Sequence, residues 1–336
     1  MTRHNRPRAA FTLIEMIVVL SIMALLAALT AAAVMRLRES SRESNTNVHL
    51  NKIHMELQKQ WAARVALINA ETLPPVLIEL TKDGAGVPDL VRARALHRKL
   101  RLRQEFPQNF GEVYSDIKLI DPFGSQYVYS GKTAFKTALK APRKLAPNSF
   151  EELIPEAQSA ALLALILSQG GGGSTTDVDS IARTTLLPFR QDNNAPDIQL
   201  KVFADEWGNP IAFRRWIDDD MTDVQADLNQ PPFTSAAQVT AGNMDPDDPE
   251  GRLRLPPQNW FTPPAKPNNR QVCESFLART DPTTRPYIQQ PFNGWNRGPF
   301  VFSAGKNGLF YQANGTFEVN GDNLYSYRIA GSGKGN

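Results

Sequence analysis

A single carboxylate lies near the start of the most apolar segment of this chain. Residues 11–35 contain no basic residue, and Glu15 is their only acidic one. A carboxylate in hydrocarbon costs on the order of 2.5–3.5 kcal/mol at the centre of a helix, and less near its end. Such a charge is useful if a partner neutralises it. The natural partner is the amino group that a cut between Ala10 and Phe11 would create on a neighbouring copy, and that buried pair would fix the register of two helices.

The residues around Glu15 decide how this segment is used. Residues 1–10 hold three arginines and no acidic residue, so the positive-inside rule keeps them in the cytoplasm. As a helix, residues 11–35 span about 37 Å, enough to cross a hydrocarbon core of about 30 Å. Three interpretations fit: a signal peptide cut within residues 28–33, a permanent single-span anchor, and a leader cut before residue 11. The carboxylate favours the third, because neither of the others gains from it.

Residues 11–20, FTLIEMIVVL, follow a short basic leader. This arrangement resembles the prepilin-type cleavage and methylation motif of type IV pilins and type II secretion pseudopilins. The resemblance implies cleavage by prepilin peptidase between Ala10 and Phe11, N-methylation of Phe11, and a role for Glu15 in filament assembly. The family usually has glycine before the cut, where this chain has Ala10. Alanine is also small, so we expect cleavage to occur but to be slower.

The helix is predicted to continue past the apolar segment. Residues 36–71 contain no proline or glycine, and their apolar residues recur at steps of three and four. The stripe consists of Leu50, Ile53, Leu57, Trp61, Val65 and Ile68. We expect it to pack on a globular head, and the prolines at positions 74 and 75 to end the helix near residue 72.

The predicted fold class is α+β, with a long amino-terminal helical spine packed on an antiparallel β-sheet head that carries loop-rich insertions. The predicted parts are a leader at residues 1–10, a transmembrane half-helix at 11–35, an amphipathic half-helix at 36–72, and a globular head at 73–336. Within the head, insertions are predicted near residues 88–105, 150–174 and 218–268. The apolar core of the second insertion is too short to span a membrane, so we expect it to be buried.

A basic segment occupies residues 88–105, PDLVRARALHRKLRLRQE. It predicts a short helix with Asp89 near its start and with Leu96 and Leu100 on one side. Its charges have two interpretations: a solvated helix face, or a patch for an acidic partner subunit, phospholipid headgroups or nucleic acid. Nucleic acid is the least favoured partner, because the stretch from Asp89 to Gln104 contains no aromatic residue on which a base could stack.

One short pattern occurs twice in the head. The sequence DPFGSQYVY begins at Asp121, and DEWGNPIAF begins at Asp205. Aspartate and glycine are turn residues, so each copy predicts a turn followed by a strand, with the aromatic residue plugging the sheet edge against the helix. The turn is similar to one in the heads of major pseudopilins. A duplicated module and the coincidence of a common turn both explain the repeat.

The carboxyl-terminal region contains a second stretch that resembles major pseudopilins. Residues 303–308, SAGKNG, resemble a Ser-Ala-Gly-Pro-Asp-Gly turn at which that family ligates calcium together with a later acidic run. This chain has Asn307 in place of the aspartate, and its later run is poor in acid around Asp322. Because calcium affinity depends on ligand charge, we expect the site to be weakened or absent, with Asn307 and Asp322 as its candidate ligands. No other cofactor is expected.

The remaining composition excludes several classes of protein. Lysine and arginine number 37 against 34 acidic residues, so the chain is not a polycation. Cys273 is the only cysteine, which rules out an internal disulfide and a cysteine-rich zinc site. The acidic, proline-rich residues 218–268 suit calcium or a solvated loop, and they lack EF-hand spacing. No phosphate-binding glycine motif or nucleophile elbow is present, so we expect no enzymatic activity.

The predicted function is structural: a minor or tip subunit of a type II secretion pseudopilus or type IV pilus. The predicted location is the bacterial inner membrane, with one span and the head in the periplasm, followed by a helical filament. The predicted partners are other pilin or pseudopilin subunits, prepilin peptidase and the inner-membrane assembly platform. Two alternatives stay open: a filament-tip module that binds DNA, a surface or secreted cargo, and a membrane-tethered exported enzyme.

Overall fold

The computed structural model describes ten parts of the chain. They are residues 13–139, 155–169, 177–189, 198–215, 248, 251–255, 257–264, 266–277, 299–309 and 323–326. The chain divides into two compact units, Met1–Asn45 and Thr46–Asn336. The described part of the first unit is helical throughout, and the second contains all the described strands.

Helix α1 runs from Leu13 to Ala70 without a break. It ends four residues before Pro74, close to the predicted end at residue 72. The continuous helix agrees with the absence of proline and glycine from this stretch.

The predicted apolar stripe of α1 is confirmed. Five apolar residues of the stripe are buried: Leu50, Ile53, Leu57, Trp61 and Ile68. The same half of α1 also buries two polar residues, Thr46 and Gln60. Val65 is partly buried and packs against the same core. The amphipathic half of α1 is therefore part of the hydrophobic core of the head.

The second unit also contains short helices and strands, which confirms the α+β fold class. The further helices are α2 Pro75–Leu80, α3 Leu90–Glu105, α4 Phe110–Tyr114, α5 Thr133–Ala138, α6 Pro155–Gln169, α7 Val178–Ile181 and α8 Asn269–Leu277, with 3₁₀ turns at Arg252–Arg254 and Pro257–Asn259. The strands are β1 Ile117–Ile120, β2 Gln126–Tyr129, β3 Thr184–Phe189, β4 Ile198–Phe203, β5 Ile211–Arg214, β6 Phe300–Ser303 and β7 Leu324–Tyr325.

The described strands form three small antiparallel sheets. β1 pairs with β2, β3 pairs with β4, and β6 lies between β5 and β7. In the last sheet Ile211 lies opposite Ser303, and Phe302 lies opposite both Ala212 and Tyr325. The antiparallel pairing was expected, but the division of the head into three small sheets was not.

Two hydrophobic clusters fill the head. The first joins α1 and α6 to the strands β4, β5 and β6, and includes Trp61, Leu162 and Phe213. The second consists of Val76, Leu77, Leu80, Ala95, Leu96, Leu100, Ile117, Leu119, Tyr129, Leu253, Trp260 and Cys273. Helix α6 is central to the first cluster, because every side chain from residue 156 to residue 164 is buried. Burial of this short apolar helix in the head confirms that prediction.

Candidate assembly helix and its support

Glu15 lies in the first turn of α1. The amino-terminal end of a helix carries partial positive charge, which stabilises a carboxylate in that turn. Its neighbours Ile14 and Met16 are exposed, as are the other large apolar side chains of this half of the helix. Ala10 and Phe11 lie outside the described residues, so the predicted cleavage and methylation at these positions stay predictions.

The apolar half of α1 is suited to hydrocarbon. Within the part of the chain that the structure describes, α1 is the one helix long and apolar enough to cross a membrane. Its hydroxyl groups are satisfied inside the helix: Ser21 Oγ donates to the carbonyl of Ile17 at 2.8 Å, and Thr30 Oγ1 donates to that of Leu26 at 2.9 Å. In lipid, polar groups need such internal partners because no water is available. The helix can therefore anchor the chain in a membrane.

Polar contacts tie the amphipathic half of α1 to distant parts of the head. Thr46 Oγ1 accepts a hydrogen bond from the backbone N–H of Glu206 at 3.2 Å, and Gln58 Nε2 donates to the carbonyl of Pro299 at 2.8 Å. His54 Nδ1 lies 3.1 Å from Ser326 Oγ, and burial lowers the pKa of His54. These contacts attach the helix to three separate segments of the head.

The carboxyl-terminal end of α1 is held by α3. Glu71 follows the helix directly, and its carboxylate accepts hydrogen bonds from Arg101. Arg101 Nη2 donates to Oε1 at 2.8 Å, and Arg101 Nε donates to Oε2 at 2.9 Å. Arg94 Nη1 donates to the backbone carbonyl of Glu71 at 2.6 Å. His97 Nε2 lies 3.1 Å from Glu71 Oε2. This cluster could not be expected from the sequence, because Glu71 and its partners on α3 are more than twenty positions apart.

The basic residues of α3 face internal partners, so its interpretation as a solvated face is wrong. The predicted start is confirmed, since Asp89 Oδ1 accepts the N–H of Arg92 at 3.0 Å, and Leu96 and Leu100 are buried. The helix also buries Arg92, His97, Lys99, Arg103, Gln104 and Glu105. Whether residues 88–105 form an insertion stays a prediction, but their helix belongs to the core.

Arg92 shows why these charges can be buried. Its guanidinium lies 4.2 Å from the centre of the Trp260 ring and donates to the carbonyls of Asn259 at 3.2 Å and Lys82 at 3.3 Å. Aromatic faces and carbonyl oxygens replace the water that the cation loses. With its basic side chains used in this way, α3 gives no support to a DNA-binding patch.

Two buried ion pairs brace the core between the helices and the sheets. Arg215 forms a bidentate ion pair with Glu112, with Nη1 3.0 Å from Oε2 and Nη2 3.1 Å from Oε1. Its Nη1 also donates to the carbonyl of Phe106 at 2.8 Å. Arg214 Nη2 lies 3.3 Å from Glu156 Oε1 on α6. The adjacent pair Arg214–Arg215 in an otherwise acidic stretch was the available sequence signal, but its partners come from remote segments.

The turn that begins at Asp121 joins β1 to β2 and follows the predicted geometry. Asp121 Oδ1 accepts the backbone N–H groups of Phe123 and Ser125, each at 2.8 Å. Gly124 has a φ of 92°, in the left-handed region that favours glycine. Phe123 is 77% exposed, so the prediction that this aromatic residue plugs a sheet edge is wrong.

The turn that begins at Asp205 joins β4 to β5 with the same backbone. Asp205 Oδ1 accepts the N–H of Trp207 at 3.0 Å and of Asn209 at 2.8 Å, and Gly208 has a φ of 94°. This turn also contacts the segment after β6, because Asn209 Nδ2 donates to the carbonyl of Gly305 at 2.7 Å. A turn followed by a strand is therefore confirmed for both copies of the repeat.

The weak calcium prediction is only partly covered by the described residues. Asn307 lies in an exposed turn, where its Oδ1 accepts the N–H of Leu309 at 2.8 Å. Asp322 lies outside the described residues, as does most of the acidic segment 218–268. Asp248, one described residue of that segment, is buried and accepts the N–H groups of Arg252 and Leu253. Among the described residues, no group of three or more histidine, cysteine, aspartate or glutamate side chains could hold a metal ion.

Residues 5–31 match the family model of the prokaryotic N-terminal methylation motif. The chain is pilin-like at its amino terminus. The match covers the predicted cleavage position, Glu15 and most of the apolar half of α1, and with the long helix it is consistent with a type IV pilin-like protein. No curated protein and no solved structure matches the chain. The pilin-like assignment therefore rests on the amino-terminal segment and on the long helix.

Proposed function

We propose that this pilin-like chain is a structural subunit, minor or at the tip, of a type II secretion pseudopilus or a type IV pilus. One observation carries the proposal: the methylation motif opens a helix of 58 residues whose first half is apolar and exposed and whose second half is buried in a head. A helix of this kind can hold the protein in a membrane and later pack against other such helices in a filament.

Assembly would depend on Glu15 and the new amino terminus. After a cut between Ala10 and Phe11, the methylated amine of one subunit would pair with Glu15 of its neighbour. Desolvation makes such a pair a weak source of stability, but a single charge in an apolar bundle strongly disfavours other registers. The partners would be other pilin-like subunits, prepilin peptidase and an inner-membrane assembly platform.

The head would project into the periplasm and would have no catalytic role. Loss of the leader removes its three arginines and leaves the methylated amine as the positive charge at the start of the apolar half of α1, which favours later extraction of the helix from the membrane. The chain has 336 residues, so its head is large. A large head with several insertions would hinder the dense stacking of subunits along a fibre. This supports a minor or tip position.

Mass spectrometry of the mature protein tests the first step. The expected chain begins with N-methylated Phe11, whereas a chain that begins within residues 31–33 would make the protein a secreted soluble one and would overturn the proposal.

Exchange of Glu15 tests the second step. Glu15→Gln should abolish incorporation into crosslinked multimers or sheared filaments in the native host. Glu39→Gln is the matched control, because Glu39 is also on α1 but beyond residues 11–35, and it should assemble normally. Normal incorporation of Glu15→Gln would remove the proposed basis of assembly.

A further inference from the structure

Three elements meet at the side chain of His97, which is only 1% exposed. His97 belongs to α3. Its Nε2 lies 3.1 Å from Oε2 of Glu71, at the end of α1, and its Nδ1 lies 2.7 Å from the hydroxyl of Tyr129, the last residue of β2. Tyr129 is 2% exposed. The imidazole therefore bridges a carboxylate on one side and a phenol on the other.

The two partners determine which nitrogen carries the hydrogen when the ring is neutral. A carboxylate can only accept, so Nε2 must donate to Glu71. Nδ1 is then unprotonated and accepts a hydrogen bond from the Tyr129 hydroxyl. In this form every hydrogen between Glu71, His97 and Tyr129 has an acceptor.

We propose that His97 is a pH-sensitive latch, which holds the β1–β2 hairpin to α3 while the ring is neutral and releases it when Nδ1 is protonated. A protonated Nδ1 has a hydrogen where it previously accepted one. The Tyr129 hydroxyl must then turn its own hydrogen away, inside a site that excludes water. A buried donor without an acceptor is unfavourable, and this favours separation of the strand from the helix.

The charges around His97 favour the neutral ring at neutral pH. Burial is the largest effect and lowers the pKa of His97, Glu71 opposes it, and the cations Arg101 and Arg94 lower it further. The pKa of Glu71 is also lowered, since the hydrogen bonds and charges of Arg101 and His97 outweigh its burial. Glu71 therefore stays ionised over the range in which His97 titrates.

The pH window follows from the direction of this shift. The ordinary pKa of histidine is 6.5, and the folded value is lower. Unfolded or detached His97 thus binds a proton more readily, so the latch is at full strength above pH 6.5 and weakens as the pH falls from there towards the folded pKa. Acid should release β2 first, because a protonated ring still donates from Nε2 to Glu71. The latch is a property of the head and does not depend on the proposed function.

Amide hydrogen exchange of the full chain in detergent tests the latch. Exchange is measured at about pH 7.5 and about pH 5 and corrected for the intrinsic effect of pH. We expect amides of β1 and β2 to lose protection in acid. The largest possible loss is about tenfold for each unit by which the pKa of His97 is lower in the closed state than in the open state. The β3–β4 hairpin, Thr184–Phe189 with Ile198–Phe203, is the internal control and should keep its protection.

Two variants connect the loss to His97. In His97→Gln the side-chain amide can still donate to Glu71 but does not titrate, so protection of β1–β2 should not respond to pH. His97→Asn also does not titrate, so it should likewise show no response to pH; it serves if the first variant does not fold. His54→Gln changes another histidine of lowered pKa and should respond as the wild type does.

Several outcomes would overturn the latch. They are equal protection of β1–β2 at both pH values in the wild type, an equal loss in β3–β4, and a full response that persists in His97→Gln or in His97→Asn. The first would show that His97 does not titrate with opening, the second that acid loosens the whole head, and the third that another group is responsible.

Discussion

The turn at Asp121 and the turn at Asp205 share one hydrogen-bond pattern. In each, the aspartate side chain accepts the N–H groups two and four residues later, and its backbone carbonyl accepts the N–H of the glycine three residues later at 3.1 Å. In each, the backbone N–H of the aspartate closes the loop on the carbonyl four residues later. The pattern is local, so it recurs wherever these residues occur.

The surroundings of the two turns differ. The Asp121 carboxylate also accepts a hydrogen bond from the side chain of Ser125, which belongs to the same turn. Asp205 Oδ2 instead accepts a hydrogen bond from Ser303 Oγ at 2.7 Å, on a strand almost a hundred positions away. The first turn is therefore self-contained, while the second joins β5 to the end of β6.

This difference reverses the electrostatics of the two carboxyl groups. Burial raises the pKa of Asp205 above its ordinary value, and the hydrogen bonds from Ser303 and the backbone only partly offset it. At Asp121 burial acts in the same direction, but the hydrogen bonds from Ser125, Phe123 and Gly124 outweigh it and lower the pKa. A shared motif thus fixes backbone geometry, whereas the tertiary environment decides the charge.

The largest expected effect comes from removing each carboxylate. Asp205→Ala leaves the buried Ser303 hydroxyl without its acceptor, and also two half-buried backbone N–H groups, so we expect a loss of about 3 kcal/mol in the free energy of unfolding. Asp121→Ala removes the acceptor of two N–H groups that are equally half-buried, but it breaks no contact with another strand, and about 1 kcal/mol should be lost. Denaturant titration of the full chain in detergent, with equal m-values, measures both. Equal losses would show that the tie to β6 adds nothing.

The aromatic residues of the two turns should differ less. Trp207 is half-buried and Phe123 is largely exposed. We therefore expect Trp207→Ser to lower the free energy of unfolding by about 1–2 kcal/mol, and Phe123→Ser to change it by no more than about 0.5 kcal/mol. The same titration compares the two variants. A loss at Phe123 as large as that at Trp207 would mean that its ring packs against the head after all.

The features that could be predicted from the sequence are those that depend on neighbours in the chain. The stripe on α1 was recognisable because a helix brings residues three and four apart to one face. The two turns were recognisable because aspartate and glycine act within five positions. The carboxylate Glu15 stood out against an apolar background, and the methylation motif covers that same segment.

The features that were predicted wrongly, and those that were not predicted at all, depend on distant partners. The basic helix α3 looked solvated because Trp260, which covers Arg92, is far away in the sequence. Likewise, nothing near Glu112 indicates that Arg215 will neutralise it. The two turns differ for the same reason: the end of β6 contacts the turn at Asp205, whereas Phe123 in the other turn is exposed. Patterns of local period carry no information about such pairings.

The smallest difference is expected at the glycines, which test whether the backbones are truly equivalent. Gly124 and Gly208 have φ values of 92° and 94°, and a Cβ atom at either would meet nothing within 4 Å. The only expected cost of alanine at either position is therefore the strain of a left-handed backbone, about 1 kcal/mol. Gly124→Ala and Gly208→Ala should lower the free energy of unfolding equally, although one turn is tied to β6 and the other is not. A clearly larger loss at Gly208 would show that burial constrains the backbone as well as the charge, and the separation between motif and environment would not hold.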